Sequence, residues 1–164
     1  MKLAKKYNCI ILVLSVVITI MTSCTIESYV TRKRDADLEI TKYLNDNKLN
    51  VSTNTSGLVF ISMEDGDGGY PKPGDRVAFH YKGYYLNGEM FDSSYDKSYP
   101  LVVQLGEGML IKGMEEALLY MNKGSKSKII VPFYLAYNDM DNAPVPPYSN
   151  LIFELEIIDF TSGK

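Results

Sequence analysis

The chain has 164 residues, 46% of them hydrophobic and 23% charged, and a formal net charge of −3 at pH 7. This length suits one ordinary domain with a short additional segment. An acidic chain without a basic cluster argues against nucleic-acid binding. With one histidine and two cysteines, neither a disulfide framework nor a histidine- or cysteine-rich metal site is expected.

The first 23 residues have the pattern of a secretory signal peptide. Three lysines precede an apolar stretch, Ile10 to Ile20, that is too short to span a bilayer comfortably. The following Met21-Thr22-Ser23-Cys24 resembles a bacterial lipoprotein cleavage box, which implies cleavage before Cys24 and a lipid on its sulfur. A short uncleaved anchor with an incidental cysteine is the alternative. Loss of residues 1–23 removes three lysines and no acid, which shifts the net charge from −3 to −6.

Residues 24–54 are predicted to be a lipidated tether with a short helix. The residue after the cysteine, Thr25, is not the Asp that commonly signals retention in the inner membrane, and no acidic run follows. The expected location is therefore the cell envelope, lipid-anchored on the periplasmic face of the outer membrane. Residues 35–47 form the helix, with Ile40, Tyr43 and Leu44 on one face. That face either packs on the domain or makes a homodimer contact, and the sequence leaves both open.

Residues 55–164 are predicted to be the folded domain, and most of its periodic segments are typical of strands. Residues 76–86 alternate apolar and polar side chains, and Asn87-Gly88 is a strong signal for a hairpin turn. The predicted strands are residues 58–63, 76–86, 90–92, 101–105, 127–131 and 151–160.

The stretch Leu105 to Gly124 is predicted to contain a loop, residues 106–109, and then the central helix, because the apolar residues from Leu110 onward recur at helical spacing. This stripe consists of Leu110, Met114, Ala117, Leu118 and Met121. One amphipathic helix among strands is expected to cover the concave face of an antiparallel sheet. The fold class is therefore α+β, with a curled sheet around one short helix.

The residue pattern does not provide a conventional nucleophile and base. His80 is predicted on the sheet face away from the helix, and the acidic loops at residues 64–69 and 138–142 lack the ligand spacing of calcium sites. No metal or cofactor is expected. A long loop rich in Tyr and Pro, residues 132–149, is instead expected to bind a ligand. The Asp92 carboxylate, beside Phe91 on a core-facing edge, is costly to bury unless it is paired. Asp92 is therefore either a residue of the binding site or part of a structural salt bridge with Lys97 or Arg76.

Three separated motifs resemble FKBP-type peptidyl-prolyl isomerases: FHYKGYYLNGEMFDSS, LGEGMLIKGMEEAL and VPPYSNLIFELEI. The resemblance covers residues 55–160. Together with the cleavage box and the N-terminal helix, the chain is similar to gliding-motility-associated lipoprotein isomerases. The resemblance implies a half-barrel of five or six strands wrapped on the helix. It also implies an apolar pocket that binds proline-containing polypeptides and catalyses cis–trans exchange.

The resemblance also implies which residues form the pocket. The implied catalytic residues are Tyr81, Phe91, Asp92, Ile111, Tyr137 and Phe153. The implied substrate-binding residues are Leu101, Leu110, Met114 and Val145. Three positions depart from the family pattern, with Met114 for a common Trp, Leu101 for Phe and Asn138 for Gly. A non-catalytic peptide-binding or chaperone module is the main alternative, and a structural envelope lipoprotein is a more distant one.

Overall fold

The computed structural model describes residues 28–97 and 99–163, and these fall in two compact units that are divided after Asp35. The described part of the first unit, residues 28–35, is helical, and Arg34 Nη2 lies 3.2 Å from Asp35 Oδ1. The signal peptide and Cys24 lie outside the described residues and stay predictions. The predicted start of the helix at residue 35 was too late, because residues 28–34, which lack Gly and Pro, are also helical.

Six strands in the described part of the second unit form one antiparallel sheet. They are β1 (Val59–Glu64), β2 (Arg76–Tyr85), β3 (Met90–Ser93), β4 (Leu101–Gln104), β5 (Lys126–Val131) and β6 (Leu151–Thr161). The sheet order is β1-β5-β6-β2-β3, and β4 pairs with β2 beside β3. The predicted α+β fold, with an open antiparallel sheet, is confirmed.

The two longest strands, β2 and β6, form the centre of this sheet. They pair along their whole length, from Arg76 opposite Thr161 to Tyr85 opposite Leu151. The other edge of β2 is shared, because β4 pairs with its first four residues and β3 with residues 82–84. Strands β4 and β3 therefore follow one another along the same edge of β2.

A short helix, α2 (Lys112–Tyr120), packs on one face of the sheet. Its buried residues are Gly113, Met114, Ala117 and Leu118. A Cβ on Gly113 would lie 2.5 Å from Val131 Cγ1, so the glycine allows the helix to approach β5 closely. Of the predicted apolar stripe, four residues are buried, Met114, Ala117, Leu118 and Met121, whereas Leu110 lies before the helix and is half-buried. The helix begins at Lys112. It ends at Tyr120, and the positive φ of Gly124 (86°) belongs to the following turn.

The opposite face of the sheet is covered by helix α1, residues 28–46, through its part in the second unit. Ile40 is 1% exposed and Leu44 is 8% exposed, and both pack against the sheet residues Val59, Ile130 and Ile152. The apolar stripe therefore packs on the domain, the first of the two arrangements that the sequence left open. Within the described ranges, no helix combines the length and apolarity needed to cross a membrane.

Beyond α1, this outer face carries a polar and aromatic cluster around His80. The His80 ring stacks on Tyr95, with 4.4 Å between ring centroids, and its Nδ1 lies 2.9 Å from Ser94 Oγ. The Tyr95 hydroxyl donates a hydrogen bond of 2.5 Å to Glu156 Oε2. These contacts place His80 away from α2, as predicted, and account for it as a packed surface residue.

Ionisation of Tyr95 is expected to reduce stability between pH 10 and pH 12. Burial, followed by the hydrogen bond to Glu156, raises the pKa of Tyr95 from 10.0 to about 12. Below pH 10 the phenol is neutral in both states and its stabilising contribution is complete. Between pH 10 and about 12 the unfolded chain ionises first, so the contribution is lost as the pH rises. Urea unfolding from pH 8 to 11 should show a shallower decline for Tyr95→Phe than for wild type.

The matched control for this experiment is Tyr99→Phe, because Tyr99 is 67% exposed. This variant should follow the wild-type pH dependence. Equal slopes for wild type and Tyr95→Phe would show that the hydrogen bond to Glu156 does not stabilise the folded state.

Candidate functional site

A cavity of about 650 Å³ lies where α2 meets the edge of the sheet. Its lining includes nine of the ten residues that the sequence assigned to the pocket. They are Tyr81, Phe91, Asp92, Leu101, Leu110, Ile111, Met114, Tyr137 and Phe153. The tenth, Val145, is 6% exposed and belongs to the core cluster rather than to the cavity wall.

A tyrosine–carboxylate pair forms the polar side of the cavity. The Tyr81 hydroxyl donates a hydrogen bond of 2.5 Å to Asp92 Oδ2, and the Ser93 backbone N–H donates one of 2.9 Å to Oδ1. Burial first, and then the hydrogen bond to Asp92, raises the pKa of Tyr81 well above its usual value. Tyr81 is therefore neutral at physiological pH, and its ring is fixed against β3.

Asp92 also has a cationic neighbour, Lys97, whose Nζ lies 3.8 Å from Oδ1. Of the two candidates that the sequence offered for a salt bridge, the structure selects Lys97 rather than Arg76. The Lys97 side chain is 54% exposed, and such surface pairs contribute little to stability. The main partner of the carboxylate is therefore Tyr81.

Aromatic rings form the apolar side of the cavity. Phe91 and Phe153 meet edge to face, with 5.7 Å between centroids and 84° between planes, and Tyr81 lies 6.5 Å from Phe153. Gly83 allows this packing, since an added Cβ would lie 2.7 Å from Phe91 Cζ and 2.9 Å from Phe153 Cε1. Sequence reasoning did not identify Gly83, although a glycine inside a strand pattern often marks such a close approach.

Substitution of Gly83 by Ala is expected to destabilise the fold by about 1–3 kcal/mol, the usual cost of overpacking. The added methyl group must displace both rings of the aromatic wall. Urea unfolding measures the loss, and the proton shifts of the two phenylalanine rings report their displacement. Gly69→Ala is the matched control, because its added Cβ would meet only Phe160 at an ordinary 3.7 Å. Equal stabilities for the two variants would contradict this packing.

The helix start provides the floor and one rim of the cavity. Met114 is 5% exposed and forms the floor, and Leu110 and Ile111 are half-buried at the rim. Ile111 is the N-cap residue of α2, and no side chain caps the helix there. The preceding loop is held by a hydrogen bond of 3.0 Å from the Gly108 N–H to Glu115 Oε1. The first turn of α2 is thus presented to the cavity.

The loop after β5 provides the opposite rim. It contains a short 3-10 helix, Phe133–Leu135, followed by Ala136 and Tyr137, which line the cavity. Burial and the nearby charge of Asp92 raise the pKa of Tyr137. Asn138, which stands where the family commonly has Gly, adopts the left-handed backbone with φ of 54°. Asn tolerates this conformation better than most residues, so the turn after Tyr137 is retained.

Several lining residues were not identified from the sequence. They are Gly106, Gly108, Met109, Lys112, Glu115, Ala136 and Met140. Met109 and Met140 are 62% and 63% exposed and lie at the mouth. Nothing in their local sequence pattern distinguishes them from ordinary surface residues. Within residues 28–97 and 99–163, no group of three or more acidic, histidine or cysteine side chains is placed to hold a metal ion.

Comparison with known proteins agrees with this geometry. Residues 68–158 match the family of FKBP-type peptidyl-prolyl cis-trans isomerases. The chain is 41% identical to FK506-binding protein 2 of Debaryomyces hansenii over 93 residues, which cover 57% of this chain and 69% of that protein. It is 39% identical to the FKBP-type peptidyl-prolyl cis-trans isomerase FkpA of Escherichia coli K12 over 109 residues, 66% of this chain and 40% of that protein.

A solved structure shows the same fold. The crystal structure of FkpA from Escherichia coli matches with a TM-score of 0.67 and 32% sequence identity, covering 82% of this chain and 65% of that one. The chain thus spans less than two thirds of FkpA in both comparisons. The family match includes more than half of the 164 residues, and the chain belongs to the FKBP-type peptidyl-prolyl cis-trans isomerases.

Proposed function

We propose that the protein accelerates cis–trans exchange of X-Pro bonds in exported proteins by non-covalent stabilisation of the twisted amide. One observation carries this proposal: an apolar, partly aromatic cavity next to the Tyr81–Asp92 pair. Uncatalysed exchange takes tens to hundreds of seconds, which is slow enough to limit the folding of a newly exported chain.

The reaction suits a cavity without a nucleophile. Rotation about the X-Pro bond faces a barrier of about 18–20 kcal/mol, because amide resonance is lost in the twisted state, and no covalent bond is broken. The twisted amide has less charge separation than the planar one, so a dry apolar cavity favours it. A 10⁴-fold acceleration needs only about 5.5 kcal/mol of such preferential binding.

In this mechanism the cavity walls hold the proline ring. Phe91 and Phe153 contact the ring from one side, and Ile111 and Met114 contact it from the helix. Leu101 and Leu110 extend the apolar surface toward the neighbouring substrate residues. Val145 supports the core behind the site rather than contacting substrate, because it is 6% exposed and does not line the cavity.

Polar groups at the rim would hold the substrate backbone. The Ile111 N–H and the Tyr137 hydroxyl are the proposed donors to the carbonyls that flank the proline. Within the described residues, neither donor makes a hydrogen bond to a protein acceptor, whereas the Tyr81 hydroxyl donates a hydrogen bond to Asp92. Tyr81 and Asp92 therefore orient the wall beside the twisted carbonyl.

Catalysis is tested by exchange NMR on a short Leu-Pro peptide, with the full chain in mild detergent. Acceleration at catalytic protein concentrations supports the isomerase. A second candidate, a peptide-binding module without catalysis, is favoured by Met114 and Leu101, which replace the aromatic residues common in the family. Peptide shift changes without acceleration would support that second candidate and reject the first.

We also propose that the mature protein begins at a lipidated Cys24 in the cell envelope, on the periplasmic face of the outer membrane. The support is the signal-peptide pattern, the cleavage box and Thr25 in place of the Asp that commonly signals inner-membrane retention. Two or more acyl chains anchor stably, where one is marginal. Mass spectrometry of the N-terminal peptide, together with fractionation of Cys24→Ser, tests the anchor.

We also propose a homodimer contact through residues 35–47. Only part of this segment is available for the contact. Ile40 and Leu44 are already buried against the sheet of the same chain. The contact would have to use exposed residues of α1 such as Leu38, which is 60% exposed. Sedimentation of wild type and Leu38→Glu would detect it as a change from dimer to monomer.

A further inference from the structure

Helix α1 contacts the loop that carries Tyr137, in addition to packing on the sheet. Asn150 Nδ2 donates a hydrogen bond of 2.6 Å to Glu39 Oε2, and the Tyr134 hydroxyl donates one of 2.8 Å to Asp37 Oδ1. Both acceptors belong to α1. Both donors lie near the ends of the segment 132–150, which connects β5 to β6.

Asn150 connects the helix to the interior of this loop. It is only 6% exposed, and its Oδ1 accepts the Phe133 N–H at 3.0 Å, a buried hydrogen bond. The Asn150 side chain thus donates through Nδ2 to α1 and accepts through Oδ1 from the first residue of the 3-10 helix. A buried amide that is bound at both ends holds its two partners at fixed positions.

Phe133 in turn holds the two residues on either side of Tyr137. Its carbonyl oxygen accepts the N–H of Ala136 and the N–H of Asn138, each at 3.0 Å. Its ring is 1% exposed and meets Tyr148 edge to face at 5.3 Å between centroids. The backbone around Tyr137 is therefore built on Phe133, which Asn150 and Glu39 hold in place.

We propose that Glu39 and Asn150 are positioning residues for catalysis, which set the place of the Tyr137 hydroxyl at the rim of the cavity. This inference rests on the proposed function, because it takes Tyr137 as the donor to a substrate carbonyl. The hydrogen bonds of Glu39, Asn150 and Phe133 form a network. This network is not needed to hold α1 on the sheet, since Ile40 and Leu44 are buried there independently. Helix α1 thereby acts on the reaction without touching substrate.

The test compares Glu39→Ala with Glu39→Gln in the full chain, with kcat/KM for a Leu-Pro peptide as the readout. Glutamine keeps an oxygen that accepts the Asn150 amide, and alanine does not. We expect Glu39→Ala to lower kcat/KM about fivefold and Glu39→Gln to stay within about twofold of wild type, in line with one hydrogen bond of ordinary strength. Asp46→Ala is the matched control, because it breaks an exposed ion pair with Lys42 on the same helix; it should leave kcat/KM unchanged.

A double-mutant cycle with Tyr137→Phe shows whether the effect passes through the hydroxyl. Tyr137→Phe alone should lower kcat/KM about tenfold, and adding Glu39→Ala to it should cost no more than about twofold. Losses that multiply would overturn the inference, as would a fully active Glu39→Ala variant.

The ring signals of Tyr137 in the substrate-free protein give a readout independent of activity. They should shift in Glu39→Ala but not in Glu39→Gln or Asp46→Ala. If wild type shows no acceleration while these shifts occur, the proposed function fails and the structural network remains. If wild type accelerates exchange and neither kcat/KM nor the Tyr137 signals respond to Glu39→Ala, the network fails and the proposed function remains.

Discussion

Replacement of Phe153 by Ala is expected to lower kcat/KM for a Leu-Pro peptide by at least about 100-fold, equivalent to about 2.7 kcal/mol. The Phe153 ring is 1% exposed and meets both Phe91 and Tyr81, so it belongs to the core and to the cavity wall together. The truncation should also cost about 3–5 kcal/mol of stability. Exchange NMR and urea unfolding measure the two losses separately.

The neighbouring Ile152 provides the matched control. It is 4% exposed and lies on the same strand, but it faces α1 instead of the cavity. Ile152→Ala should lose about 2–5 kcal/mol of stability and keep kcat/KM within about threefold when assayed well below its melting temperature. A comparable loss of activity in both variants would mean that destabilisation, rather than loss of the ring, explains the Phe153→Ala result.

Substitution of Asp92 by Ala is expected to lower kcat/KM about 10- to 100-fold, or about 1.4–2.7 kcal/mol. The change removes the acceptor of the Tyr81 hydroxyl and leaves a half-buried donor unsatisfied, which costs about 1–3 kcal/mol. It also removes a negative charge that adds to the effect of burial in raising the pKa values of Tyr81 and Tyr137. Exchange NMR on the same peptide measures the effect.

Asp92→Asn separates the two roles of the carboxylate. The amide keeps a hydrogen-bond acceptor for Tyr81 but carries no charge. Activity close to wild type would assign Asp92 to orientation of the Tyr81 ring, whereas a loss equal to that of Asp92→Ala would assign it to electrostatics. Asp96→Ala is the control, since this acid lies on the nearby 3-10 helix and does not line the cavity. Full activity in Asp92→Ala would exclude the carboxylate from the mechanism.

The stability of the fold and the proposed activity depend on some of the same residues. Phe79, Phe153 and Leu155 are buried on the inner face of the sheet, and the cavity is an opening at the edge of that core. A rigid wall of this kind offers substrate a preformed surface, which reduces the conformational entropy lost on binding. The two methionines at the mouth, Met109 and Met140, add an exposed and adaptable surface.

Local periodicity was sufficient to predict most elements of the fold. Alternation placed Leu151, Phe153, Leu155 and Ile157 on the buried face of β6, and all four are buried. The Asn87-Gly88 turn joins β2 to β3, and Gly88 has the positive φ (88°) that such a turn requires. These features depend on neighbours within a few residues, so the sequence alone contains them.

The candidate site was predicted by the resemblance of three motifs rather than by periodicity. The structure brings nine of the ten named residues to one cavity, and their catalytic roles stay predictions. Val145 was placed there by its position in the motif. A proline-rich loop has no periodic pattern that indicates which side chains turn inward. The burial of Val145 in the core was therefore not predictable from the sequence.

The sequence by itself determined the positions of the strands along the chain, the inward-facing residues of β6 and the helix that covers the sheet. Only the tertiary structure decided that α1 packs on the outer face, that Asp92 pairs with Tyr81 and Lys97, and that Gly83 leaves room for the Phe91 and Phe153 rings. Each of these contacts joins segments that are distant along the chain or meet across the sheet. Their formation depends on strand register and close packing, which local patterns of apolar and polar residues do not specify.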